Sequence, residues 1–308
     1  MTIANLDYII VVHFEILFYV ASILFGILGL IFFSKHHKQG YFFGTLALYL
    51  VITIIYGISL GDNYTRQILG HAYNIVWDFA IDYSWKVFKI LLPPFFTYLS
   101  GAALALDRVL AMSMPLKHSR FHMSAVLAGI TLGMCFATIS LLCISNAIVP
   151  GSGREASSWI SSSFTYQLYM GTFWFYEWVY LAEVLLHITF CVQFYLFTRK
   201  RGAFHARLRT NKTNHITLFQ IVSQSLLCLL PKLCRYVNLF FFENSILWIQ
   251  VYHSYYHFFL AVHVCLVNFF IVYRFFPKRK SCVLVQNATV HGALFSRHVL
   301  TSSTHYMA

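Results

Sequence analysis

Residues 88–116 read FKILLPPFFTYLSGAALALDRVLAMSMPL. Apart from Lys89, no charge interrupts this run before Asp107-Arg108. A helix of about 20 apolar residues crosses a hydrocarbon core of roughly 30 Å, so the run predicts a transmembrane helix over 88–111. An acid–base pair in such a segment is costly and needs a reason. Two readings stand. Arg108 snorkels to the interface and anchors the helix end, or Arg108 is held by Asp107 in one state and released to a partner in another.

Working outward, six further segments have the same character. The seven predicted spans are 8–33, 41–60, 88–111, 125–149, 174–197, 215–240 and 247–273, followed by a basic tail over 274–308. Lipid leaves no water to satisfy irregular backbone, so each span reads as helix. The alternation of a β-barrel is absent, as is an internal repeat of the kind seen in two-fold transporters. The first span is too long for a cleavable signal peptide and lacks a basic flank, so it reads as a signal anchor. The expected fold is an all-α, seven-helix transmembrane bundle.

Composition agrees. Of 308 residues, 59% are hydrophobic, 19% aromatic and 10% charged, against about 45–50% apolar and about 25% charged in a soluble domain. This excludes a cytosolic globular enzyme, a disordered chain and a disulfide-stapled secreted domain. The seven Cys form no CxxC pair, and six fall in apolar stretches, where buried or lipid-facing thiols are expected.

The net charge of +12 is distributed by position. Lys35 and Lys38, then Lys117 and Arg120, then six bases over 198–214, then the tail, alternate with segments poor in bases. By the positive-inside rule the N-terminus lies outside and the C-terminus is cytoplasmic. Bases in short runs between apolar spans do not suit nucleic-acid binding. Asn63-Tyr64-Thr65 falls on the outer side and is a glycosylation candidate at Asn63. Asn211-Lys212-Thr213 and Asn287-Ala288-Thr289 fall on the inner side.

The string from Asp107 resembles the rhodopsin-like receptor signature D-R-Y-x-A-x-x-x-P-L. It matches at Asp107, Arg108, Ala111, Pro115 and Leu116 and departs at Val109. The resemblance implies a G-protein-coupled receptor in which Arg108 contacts the G protein or the active-state core, and Pro115-Leu116 shape the second inner loop against it. Elsewhere the pattern thins. Span 1 lacks the usual Asn, span 2 has no Asp for the usual sodium site, and span 6 has Pro231 without C-W-x-P. Span 7 has Asn268 and Tyr273 without N-P-x-x-Y, and no Cys stands ready for the outer disulfide. This mixture resembles the nematode serpentine chemoreceptors. Asp-Arg followed by Pro-Leu-Lys-His is most similar to their BC class. That resemblance implies a plasma-membrane protein of sensory-neuron cilia that detects small environmental molecules and signals to a heterotrimeric G protein.

Ionisable residues inside spans mark candidate ligand contacts. Glu177 and Glu183 occupy span 5, and Lys232 and Arg235 lie one turn apart in span 6. Opposite charges on neighbouring helices read as interhelical ion pairs, or as contacts to an anionic or carbonyl-bearing ligand. Glu15 and His187 are secondary candidates. In span 7, His253 and His257 share a face with Tyr252 and Tyr256. That face reads as aromatic packing, a ligand pocket or, on a bare H-x-x-x-H, a metal pair. Trp174, Trp178 and Trp248 suit an outer aromatic belt. Pro93 and Pro94 either kink span 3 or begin it. On the inner side, the bases of 198–214 suit anionic lipid and a G-protein docking surface. Cys282, beside Lys278-Arg279-Lys280, is a palmitoylation candidate, and Thr301–Thr304 read as a phosphorylation cluster or a plain polar tail.

No cofactor, metal or enzymatic chemistry is expected, and the sequence assigns no oligomeric state. Three other readings compete. A ligand-gated odorant channel of inverted seven-span topology is opposed by the charge alternation. A transporter lacks its usual broken-helix pairs. A membrane metalloenzyme lacks H-x-x-H-H boxes among its 15 His.

Overall fold

The computed structural model describes residues 3–36, 44–73, 79–148, 163–199, 212–241 and 245–276. Side chains are described over 10–35, 44–66, 92–118, 120–141, 143, 171, 174–199, 212–234, 237 and 255–276. Among these residues there is no strand. The helices are α1 (Ile3–His36), α2 (Thr45–Tyr73), α3 (Phe79–Ser113), the short α4 (Pro115–Arg120), α5 (Met123–Ile148) and α6 (Ser163–Arg199). They continue with α7 (Lys212–Gln224), a π-turn (Ser225–Leu229), α8 (Leu230–Phe241) and α9 (Ser245–Phe275). Seven stretches are long and apolar enough to cross a membrane: Ile10–Lys35, Thr45–Arg66, Leu92–Ser113, Met123–Leu141, Trp174–Arg199, Lys212–Cys234 and Tyr255–Phe275.

Polarity is distributed inside out, as a lipid solvent demands. On α1, Val12, Glu15, Tyr19, Ser22, Gly26, Gly29 and Phe33 form one buried stripe, while Ile10, Phe14, Leu17, Leu24 and Ile31 face outward. The buried stripe carries Glu15, Tyr19 and Ser22, while those outward residues are all apolar. Small residues let helices approach closely in a membrane, where packing and hydrogen bonds replace the hydrophobic effect. A Cβ on Gly57 of α2 would stand 2.8 Å from Ile23 Cγ1 and 3.0 Å from the Tyr19 carbonyl. α1 packs between α2 and α9, α2 against α3, and α3 against α6. Asn268 of α9 joins three helices. Its amide nitrogen donates to the Ser22 carbonyl, Ser22 Oγ and Thr53 Oγ1, each at 3.1 Å.

One expectation is corrected and one alternative is decided. The segment 61–87 was expected to be a loop, yet α2 remains helical to Tyr73 and α3 begins at Phe79. An Arg66–Asp62 pair one turn apart, with its N–H bond at 3.0 Å, supports the polar extension of α2. Pro93 and Pro94 lie inside α3 rather than at its start. The π-turn has a visible cause. Pro231 has no N–H for the Leu227 carbonyl and its ring would crowd that turn. The chain inserts an extra residue instead, and the Leu230 N–H bonds back to Ser225. Cys135, Cys228 and Cys265 are buried and Cys143 and Cys234 exposed, all as free thiols. Trp174 and Trp178 project outward from the start of the apolar part of α6.

Candidate functional site

At the end of α3 the chain folds a polar knot around Asp107, which is fully buried. The neighbouring Arg108 turns back onto it, donating from Nε at 3.1 Å and also from Nη2, both to Oδ2. Thr45 Oγ1, at the start of α2, donates to the same oxygen at 3.0 Å. His118 Nε2, on α4, lies 2.7 Å from Oδ1. The Thr45 N–H in turn donates to Ser124 Oγ at 3.2 Å, reaching the start of α5. One carboxylate therefore holds the ends of α3, α2 and α4 together, with α5 attached through Thr45. Charge-assisted bonds of this kind are roughly twice as strong as neutral ones. Pro115 opens α4, where its fixed φ suits the first helical position, and Leu116 beside it is 87% exposed.

A second polar region runs along the inward stripe of α6. Tyr176, Tyr180, Glu183, His187 and Phe190 are all buried there at helical spacing. At the end of the stripe nearer Trp174, Lys232 of α8 donates to Glu177 Oε2 at 2.5 Å, the expected interhelical pair. The ammonium also stands 4.0 Å from the centre of the Tyr180 ring and 5.6 Å from that of Tyr176, a cation–π arrangement. Tyr256 of α9 bonds the Tyr98 hydroxyl at 2.7 Å and the Tyr176 hydroxyl as well. Tyr98 packs edge-on against both Tyr176 and Tyr180. The four tyrosines thus close an aromatic wall around one held cation. His257 is buried next to Tyr256.

Glu183 lies deeper. Gln224 Nε2 donates to its Oε2 at 2.7 Å. Its Oε1 rests against Gly101 of α3, where Gln220 Nε2 also approaches. His263 Nδ1 lies 2.9 Å from Ser223 Oγ in the same layer.

The structure thus brings Asp107, Arg108 and Pro115 into one knot and Glu177, Lys232, Tyr256 and Glu183 onto one interior stripe. Leu116 belongs to the knot's segment but turns outward. The side chains of Arg235, Tyr252 and His253 lie outside the described residues, as do Trp248's side chain, Cys282, residues 200–211 and the tail from 277. Glu15 and His187 are both buried. Asn63 lies within α2 and is 3% exposed. Sequence reasoning missed Thr45, His118, Ser124, Gln220, Gln224 and Gly101. The glutamines had a signal, two amides within an apolar span, which a search for ionisable residues passes over.

No protein-family model matches this chain, and no curated protein matches it.

Proposed function

We propose that the chain is a seven-helix chemosensory receptor with its N-terminus outside and its C-terminus cytoplasmic. It binds a small environmental molecule in its outer half and activates a heterotrimeric G protein through the inner ends of α3, α6 and α7. Its place is the plasma membrane, in sensory-neuron cilia. The observation that carries this reading is the Asp107 knot. Arg108 is 12% exposed and folded back on an acid that also binds α2 and α4. An arginine held in this way is a stored contact. Releasing it frees a guanidinium and unties three helix ends together.

A ligand that binds the untied arrangement more tightly shifts the population toward it. The tyrosine wall and the Lys232–Glu177 pair join α3, α6, α8 and α9 in the half of the bundle where such a ligand enters. Rearrangement there bears on the same α3 and α6 whose other ends flank the knot. Leu116, exposed on α4 beside the knot, offers an apolar contact for the partner.

The test begins in cells displaying the chain. An N-terminal epitope is expected to be reached by antibody on intact cells, and Asn211 and Asn287 are expected to stay unglycosylated. Small organic molecules are then screened with a G-protein activation readout. Arg108→Ala is expected to abolish any response found while leaving surface expression unchanged. A normal response from Arg108→Ala, or a response that persists in cells without the G protein, overturns the reading. The second result favours the channel.

A further inference from the structure

Midway along the membrane-spanning windows, α6 and α7 bring polar side chains into one buried layer. Glu183 is 1% exposed, Gln220 1%, Gln224 2% and His187 5%. Two features set this layer apart from ordinary interhelical bonding. First, Glu183 has no Lys or Arg partner among the described residues. A carboxylate taken out of water without a counter-charge is costly. Second, hydrogen bonds that would finish the layer are missing. Gln220 Oε1, Gln224 Oε1 and His187 Nε2 are buried without a partner. Gln224 Nε2 donates to Glu183 Oε2, which leaves its Oε1 free to accept. Unpaired buried acceptors are rare in folded proteins and call for an explanation.

We propose that this layer is a binding site for one compact positive charge, built from Glu183, Gln220 and Gln224. The guest is a bare alkali cation or the ammonium head of a small amine, which share the charge and the demand for oxygen acceptors. An anion is opposed by Glu183, and a neutral guest leaves its charge uncompensated. A transition metal is disfavoured because, among the described residues, no group of three His, Cys, Asp or Glu is placed to hold one. Gly101 lets the Glu183 carboxylate lie against α3. A Cβ there would collide with Glu183 Oε1 and stand 2.9 Å from Gln220 Nε2. The π-turn starts at the residue after Gln224, and such turns recur at functional sites. The inference stands whether or not the chain couples to a G protein.

The full chain, purified in lipid nanodiscs, is unfolded by heat at fixed ionic strength in choline chloride and in sodium, lithium, potassium, ammonium and methylammonium chloride. Choline is too large for the layer and serves as the reference. At saturation a compact cation is expected to raise the midpoint by about 5 °C. Glu183→Gln, which keeps the shape and removes the charge, is expected to abolish the rise. Gln224→Met, which keeps the charge and removes an acceptor, is expected to weaken the cation's apparent affinity about tenfold. A largest shift with sodium or lithium assigns an inorganic ion, and one with ammonium or methylammonium assigns an amine. Equal midpoints for the wild-type chain in every salt overturn the proposal without any variant. So does an undiminished shift in Glu183→Gln or, where that variant does not fold, in Gln224→Met.

Discussion

Thr45, the first residue of α2, donates its hydroxyl to Asp107 Oδ2 at 3.0 Å across 62 residues of chain. Thr45→Val keeps the shape of the side chain and deletes the donor. A hydrogen bond to a charged group contributes about 1.5–3 kcal/mol, so the resting arrangement loses roughly tenfold or more in population. On the receptor reading, ligand-independent G-protein activity rises by about that factor. It is read in cells at matched surface expression, and unchanged basal activity would count against the knot as a restraint.

His118 and Thr45 bind different oxygens of the same carboxylate. His118→Phe and Thr45→Val should therefore not act independently. Once either bond is gone, Asp107 is free to rotate toward the remaining partner. The double variant is expected to depart from the sum of the single effects by about 0.5–3 kcal/mol, the range for residues sharing one network. Thermal midpoints of the four chains measure it, and strict additivity would separate the two contacts.

Gly101→Ala drives a methyl into Glu183 and Gln220. Overpacking of this kind costs about 1–3 kcal/mol. Glu183→Ala in the same chain removes the obstruction and is expected to recover part of the lost midpoint. Failure of that rescue would place the strain elsewhere.

The Lys232–Glu177 pair should break unequally. Glu177 keeps 21% side-chain exposure against 7% for Lys232, so water can reach the acid left by Lys232→Met more easily than the base left by Glu177→Gln. Removing the acid is therefore expected to cost more, softened by the Tyr180 ring that still faces the ammonium. Unfolding midpoints give the order. If Lys232 also meets an acidic ligand, Lys232→Met alone should lose that response.

Much of the architecture was legible because lipid imposes one rule on every span. The apolar lengths mark the seven membrane-crossing stretches, and the Asp107-Arg108 pair marks itself by being charged where charge is expensive. What stayed hidden has two causes. Thr45, His118 and Ser124 are ordinary residues near helix ends, and only the fold brings them to Asp107. The length of α2 was missed because hydropathy falls after residue 60 while the helix does not. Backbone hydrogen bonding carries α2 on to Tyr73, and Asn63 and Tyr64 are buried within the added stretch.

The π-turn also sets the phase of everything beyond it. Ile216, Gln220, Gln224, Cys228 and Lys232 are all at most 5% exposed, yet they recur every four residues. An ideal helix advances about 3.6 residues per turn, so a four-residue repeat drifts about 40° each time and would swing Lys232 away from the interior. The residue added between Ser225 and Leu229 cancels most of that drift. Deleting any one of those five residues should restore a regular helix and leave Lys232 in phase, because Gln224 and Lys232 would then stand seven residues, about two turns, apart. A chain shortened there by one residue should therefore keep the ion pair. A chain of full length held as a regular helix there should turn Lys232 by about 100° and lose the pair without any change to either of its members.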